Sequence, residues 1–106
     1  NFNQLYKFIV KGYGSKAYLI DRLLFAAMIE ARSCERFRVL ADHISDVELS
    51  EFYRNLMISE ANHYTVFLQY ARALDTADAV EKRWNEWLAY EGQIIAGYGK
   101  EQKIHG

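Results

Sequence analysis

The chain has 106 residues, of which 51% are hydrophobic and 15% aromatic, and its formal net charge is -1. That composition excludes a disordered polyelectrolyte and gives no global reason to bind nucleic acid or an anionic membrane. A single cysteine, Cys34, excludes an internal disulfide and a cysteine-based zinc site.

The length fits one domain. No charged-then-apolar leader opens the chain, and its longest apolar run, Leu23 to Ile29, is too short to span a bilayer. A soluble, cytoplasmic protein is the expectation. There is no proline to interrupt long helices. The chain opens on Asn1 rather than Met, which suggests a fragment or processed product.

In chain order, Phe2 to Lys11 predict a short helix closed by Gly12-Tyr13-Gly14-Ser15. Ser15 is the expected N-cap of a long helix reaching about Asp42. Its apolar stripe runs through 19, 23, 26, 37 and 41 at three- and four-residue spacing. Ser45-Asp46-Val47-Glu48 reads as a capping box, with Ser45 as N-cap of a helix running to about Leu74. Leu49, Phe52, Tyr53, Leu56, Phe67, Tyr70 and Leu74 form its inward stripe. A third long helix is expected from Thr76–Asp78, with Val80, Trp84, Trp87, Leu88, Ile94, Ile95 and Tyr98 on one face, ending at Gly97 and Gly99 before a loose tail. No segment alternates with period two. The prediction is an all-α antiparallel bundle.

The informative residues are charged ones where the stripe demands an apolar one. Glu30 lies at the centre of the first long stripe, and Glu60 and His63 at the centre of the second. Burying a bare carboxylate costs several kcal/mol unless it is paired, hydrogen-bonded or metal-bound. Folding the hairpin about residues 44 and 45 places Glu30 and Glu60 at one depth. The i, i+3 spacing of Glu60-Ala61-Asn62-His63 aims both side chains the same way. One Glu facing a Glu-x-x-His pair is half of a ferritin-like di-iron site, so Glu30, Glu60 and His63 are the candidate metal ligands.

Glu91 also falls on an inward stripe, as a structural carboxylate, an acceptor for a metal-bound histidine, or a further ligand. Glu35, about 140° round the helix from Glu30, is expected at the surface or in a salt bridge. Cys34 reads as a small core residue, and His43 and His105 as solvated. Tyr53, Tyr64 and Tyr70 read as aromatic packing.

With Glu-Ala-Arg-Ser-Cys-Glu-Arg-Phe (30–37) and Ser-Glu-Ala-Asn-His-Tyr (59–64) in place, the chain resembles the MiaE family of tRNA-(2-methylthio-N6-isopentenyladenosine) hydroxylases, ferritin-like non-haem di-iron monooxygenases. Leu-Ile-Asp-Arg-Leu-Leu (19–24), Glu-Phe-Tyr-Arg-Asn-Leu (51–56) and Tyr-Glu-Gly-Gln-Ile-Ile (90–95) extend the likeness over most of residues 13 to 98. The resemblance implies O2-dependent hydroxylation of an isopentenyl group on a modified tRNA adenosine, by two iron ions with an external electron donor. Glu30 and Glu60 would bridge or cap the irons, and His63 would be a terminal ligand.

Family members carry two earlier helices with another Glu and another Glu-x-x-His; Phe2 to Lys11 contain neither Glu nor His. The chain is therefore expected to be the C-terminal part of a longer ferritin-like domain, a helical hairpin plus one additional helix. Missing N-terminal helices, or a second copy about a two-fold axis, would complete the site. Lys7, Lys11, Tyr13, Lys16 and Tyr18 are candidates for RNA contact, against an ordinary solvated surface. The alternative functions are a ferroxidase or iron-binding subunit, and a non-catalytic helical interaction module whose carboxylates pair with Arg32, Arg36 or His63.

Overall fold

A computed structural model describes the backbone of residues 2–105 and the side chains of residues 3–97. All its regular elements are helices: α1 (Phe2–Tyr6), α2 (Lys16–His43), α3 (Val47–Leu74) and α4 (Ala77–His105). Among the described residues no helix is long and apolar enough to cross a membrane.

The caps follow from side-chain chemistry. Ser15 Oγ accepts the Tyr18 N–H at 3.1 Å and starts α2. At α3 the cap is Asp46, whose carboxylate accepts the Leu49 N–H at 3.0 Å, one residue later than the expected Ser45. Asp and Ser cap equally well, so the tie is settled by where the turn releases the chain. Thr76 Oγ1 accepts the Ala79 N–H and opens α4.

Two boundaries differ from expectation. The first helix is shorter and gives way to turns in which Phe8 and Ile9 donate to Leu5 and Tyr6 carbonyls. At the other end α4 runs to His105, through Gly97 and Gly99, and includes the segment expected to be loose. Glycine only weakens a helix interior, and neither Gly97 nor Gly99 takes the left-handed conformation that stops one.

Helices α2 and α3 form the hairpin at the centre of the fold, joined by Ile44, Ser45 and Asp46. Their pairing is antiparallel and in register about position 45. Ser50 Oγ donates to the Ala41 carbonyl at 2.7 Å, Phe37 stacks on Tyr53, and the Cys34 thiol donates to the Met57 carbonyl at 3.5 Å. Successive pairs thus stand at equal distances from the turn.

Helix α4 packs on the first half of α2 and touches both α1 and α3. The core there is Leu5, Ile9, Ile20, Leu24, Ala27, Met28, Leu68, Ala71, Val80 and Trp87. Phe8 joins it, stacked on Tyr90 and edge-on to Trp87. On α2 the deepest residues are therefore 20, 24, 27 and 28, one position round from the expected stripe, and Leu19 is 44% exposed. The physical reason is that the first half of α2 meets residues of α3, α4 and α1 in one core, so the positions that face all of them, rather than α3 alone, are the deepest. Along α3, Leu49, Phe52, Tyr70 and Leu74 are likewise exposed, contrary to the inward placement expected of them, as are Leu88 and Ile95 on α4. The Tyr98 and His105 side chains lie outside the described residues.

Candidate metal centre

The hairpin register brings Glu30, Glu60 and His63 together. One ligand atom from each lies within 4.8 Å of the others. Glu30 and Glu60 are half-buried, whereas His63 is exposed. The spacing within α3 aims Glu60 and His63 at one place. Glu30 arrives opposite them because it stands as far before the turn as Glu60 stands after it.

The carboxylate of Glu30 is the strained member. Its Oε2 is buried and has no hydrogen-bond partner. His63 Nδ1 lies 3.7 Å from it, beyond hydrogen-bond reach. A buried acceptor left in this way destabilises the fold unless a further group meets it. With Glu60 and His63 beside it, Glu30 completes a set of two carboxylates and an imidazole that suits iron, so the residues fit the metal the sequence suggests. A shallow cleft of roughly 280 Å³ opens on Glu30, with Phe25, Ala26, Ile29 and Phe67 along its walls and Tyr6 and Arg22 at its edge.

The neighbouring basic residues do not neutralise these carboxylates. Arg32 points to the opposite side of α2, where it holds Glu91 of α4 by two hydrogen bonds, Nε to Oε2 and Nη2 to Oε1, each 2.5 Å. Its Nη1 also meets Glu35 at 2.8 Å. The hydrogen bonds it donates to Glu91 hold the Arg32 guanidinium above its already high ordinary pKa. Glu91 is thus a structural carboxylate in a pair with Arg32, and Glu35 is a surface ion-pair partner.

A second buried network was not apparent from the sequence. Asp21 is 2% exposed and accepts from Arg83 Nε and Nη2, both at 2.8 Å, from Trp87 Nε1 at 3.2 Å and from the Val10 N–H at 2.9 Å. Burial alone would raise its pKa, but these donors, led by Arg83, outweigh burial and hold the carboxyl below its usual value. Arg83 also donates to the Phe8 carbonyl and lies 4.3 Å over the Phe8 ring. The signal available was that Asp21 lies three residues before Leu24 inside an apolar run, the same anomaly that singled out Glu30.

The other candidates are placed simply. Cys34 is half-buried, and His43 is exposed with Nδ1 2.9 Å from the Val39 carbonyl. Tyr53 packs on Phe37 and Tyr64 against Trp84, whereas Tyr70 is 58% exposed.

The sequence matches the family described as "MiaE: tRNA-(MS[2]IO[6]A)-hydroxylase (MiaE)" over residues 7–106. It is 48% identical over 87 residues to the tRNA 2-(methylsulfanyl)-N(6)-isopentenyladenosine(37) hydroxylase of Pseudomonas putida, covering 82% of this chain and 42% of that protein. To the hydroxylase of the same name from Salmonella typhimurium it is 39% identical over 87 residues, covering 82% of this chain and 32% of the relative. The chain thus spans less than half the length of these relatives. No solved structure matches it.

Proposed function

We propose that this chain, which belongs to the MiaE family of tRNA hydroxylases, supplies half of a non-haem di-iron centre that hydroxylates the isopentenyl group of a modified adenosine in tRNA. The observation that carries the reading is the convergence of Glu30, Glu60 and His63 around a buried carboxylate oxygen that no protein donor satisfies.

In this reading Glu30, Glu60 and His63 would hold the iron, the two carboxylates through oxygen and the imidazole through nitrogen. When bound, the iron pair supplies the O2 chemistry that oxidises a C–H bond, with electrons from an external donor. The chain's own part is to hold three ligands on two rigid helices and offset the metal charge with two carboxylates. The apolar walls of the cleft at Glu30 suit an isoprenoid substituent. A tRNA substrate sets the location in the cytoplasm.

Three protein ligands are half of what a ferritin-like di-iron site uses. The remainder would come from further helices of a longer protein or from a second copy related by a two-fold axis. The exposed apolar side of the hairpin, with Leu49 and Phe52 on α3, is consistent with either arrangement.

The test is iron bound per chain after anaerobic reconstitution. Glu60→Ala and Glu30→Ala should each lower it at least tenfold in affinity. Unchanged iron content in Glu60→Ala would show the metal site to be wrongly assigned.

A further inference from the structure

We propose that the groove between α1 and the start of α2 is a nucleotide subsite, which takes an unpaired base and its flanking phosphates from a single-stranded RNA loop. The choice of RNA as ligand rests on the tRNA reading above; the site itself rests on the following geometry.

The chain is charge-segregated. Its first 20 residues contain Lys7, Lys11 and Lys16 and no acidic residue, although the net charge of the whole is -1. The first carboxylate, Asp21, is turned inward and taken by Arg83, Trp87 and the Val10 N–H. Lys16 is engaged by Asp75 at 3.7 Å. Lys7 and Lys11 are exposed and make no ion pair among the described residues. They flank a groove of roughly 390 Å³ whose walls include Val10, Gly12, Tyr13 and Tyr18 and no acidic group. That volume lies within the range of small-ligand sites, about 300–1,000 Å³.

Tyr13, 86% exposed, is presented rather than packed. It is carried between Gly12 at φ +114° and Gly14 at φ +85°, both in the region that other residues avoid. Among the described residues its only ring neighbour is Tyr18, edge-on with centroids 5.0 Å apart. Tyr18 is steadied in turn by Arg22, which donates to its hydroxyl at 2.9 Å and lies 5.8 Å from the ring centroid. An exposed ring beside two uncommitted ammonium groups is the combination that stacks a splayed base and holds its phosphates. Loop RNA offers such bases, whereas a duplex keeps them stacked inside.

The groove also has a direction. Tyr6 borders both it and the cleft that opens on Glu30. Tyr18 and Glu30 lie twelve residues apart on one helix, a rise of about 18 Å. The subsite would therefore hold a nucleotide near the one presented to the carboxylates, not the reacting base itself.

Fluorescence anisotropy of the whole chain tests this, with a labelled RNA hairpin, a blunt duplex without a loop and anionic phosphatidylserine vesicles as probes. The hairpin should bind more tightly than the duplex. Tyr13→Ala should weaken it about tenfold, and Tyr13→Phe should restore it. Lys7→Glu with Lys11→Glu should weaken it further and flatten the salt dependence by about one unit of slope per lysine. Helical circular dichroism should be unchanged in all three, because these side chains are at the surface.

No hairpin binding by the native chain, equal binding by all variants, or equal binding of the duplex or the vesicles would each overturn the subsite. Iron content measured on the same samples separates the two readings. Lost RNA binding with native iron content supports the subsite, and absent iron with native RNA binding refutes only the metal assignment.

Discussion

Arg32 and Glu91 join α2 to α4 through two parallel hydrogen bonds of 2.5 Å, on the face of α2 turned away from Glu30. Two residues along a helix is a rotation of about 200°, so Arg32 is committed to α4 and Glu30 to α3. Arg32 is the nearest guanidinium in sequence to Glu30, yet it cannot serve both carboxylates. The reading in which Arg32 neutralises the stripe carboxylates, as in a purely structural helical module, loses that partner.

The Glu30 carboxylate should cost the metal-free protein stability. Glu30→Gln removes the charge while keeping the shape, and should raise metal-free stability by about 1–2 kcal/mol. Melting should then rise by several degrees. Ferrous iron should raise the melting temperature of the native chain and leave that of Glu30→Gln nearly unmoved. A native chain that gains nothing from iron would count against the site.

Arg32→Ala should destabilise the fold by about 2–4 kcal/mol, because it strands the buried Glu91. The lower end of the scale for broken buried pairs applies, since the Arg32 side chain is 35% exposed. Replacing both partners, Arg32→Met with Glu91→Leu, should recover most of the loss. Urea midpoints for the two singles and the double measure it as a double-mutant cycle.

Asp21 sets an acid limit on stability. Its folded pKa is lowered, so its contribution is complete above the unfolded value, about 3.9, and is lost as pH falls below that through the folded value. Chemical denaturation at pH 6 and pH 3 should show a clear loss for the native chain. Asp21→Asn should be weaker by about 3 kcal/mol at pH 6 and should lose less between the two pH values.

Trp87 divides into packing and hydrogen bonding. It is fully buried and donates Nε1–H to Asp21 at 3.2 Å. Trp87→Phe keeps most of the ring volume and should cost about 1–3 kcal/mol, through lost packing and one unmade bond to a charged acceptor. Trp87→Ala should cost about 3–5 kcal/mol. Similar losses in the two variants would show that the hydrogen bond dominates.

The helices, their antiparallel pairing and the meeting of Glu30, Glu60 and His63 could be read from spacing, because a hairpin with a three-residue turn ties depth directly to sequence position. Which face of α2 is deepest could not be read so well. Ile20, Leu24 and Ala27 are favoured over Leu19, Leu23 and Ala26 because they share a core with Leu5 and Ile9, with Leu68 and Ala71 of α3 and with Val80 and Trp87 of α4, contacts that lie far apart in sequence. Asp21 was missed for the same reason, since its main partner is 62 residues away. Gly97 and Gly99 misled in the opposite sense: local composition argued for a stop, and the helical path absorbs them.

The mirror-like spacing of paired residues about Ser45 also restricts how the hairpin can change length. One residue inserted anywhere between Ala31 and the turn would carry Glu30 about 100° out of phase with Glu60 and about 1.5 Å out of depth. Equal insertions in both arms keep the depth, but they keep the facing only in steps of about seven residues, close to two full turns. The turn can vary in sequence so long as it keeps a capping side chain at position 46 and does not vary in length. Viable hairpins of this kind should therefore fall into discrete length classes.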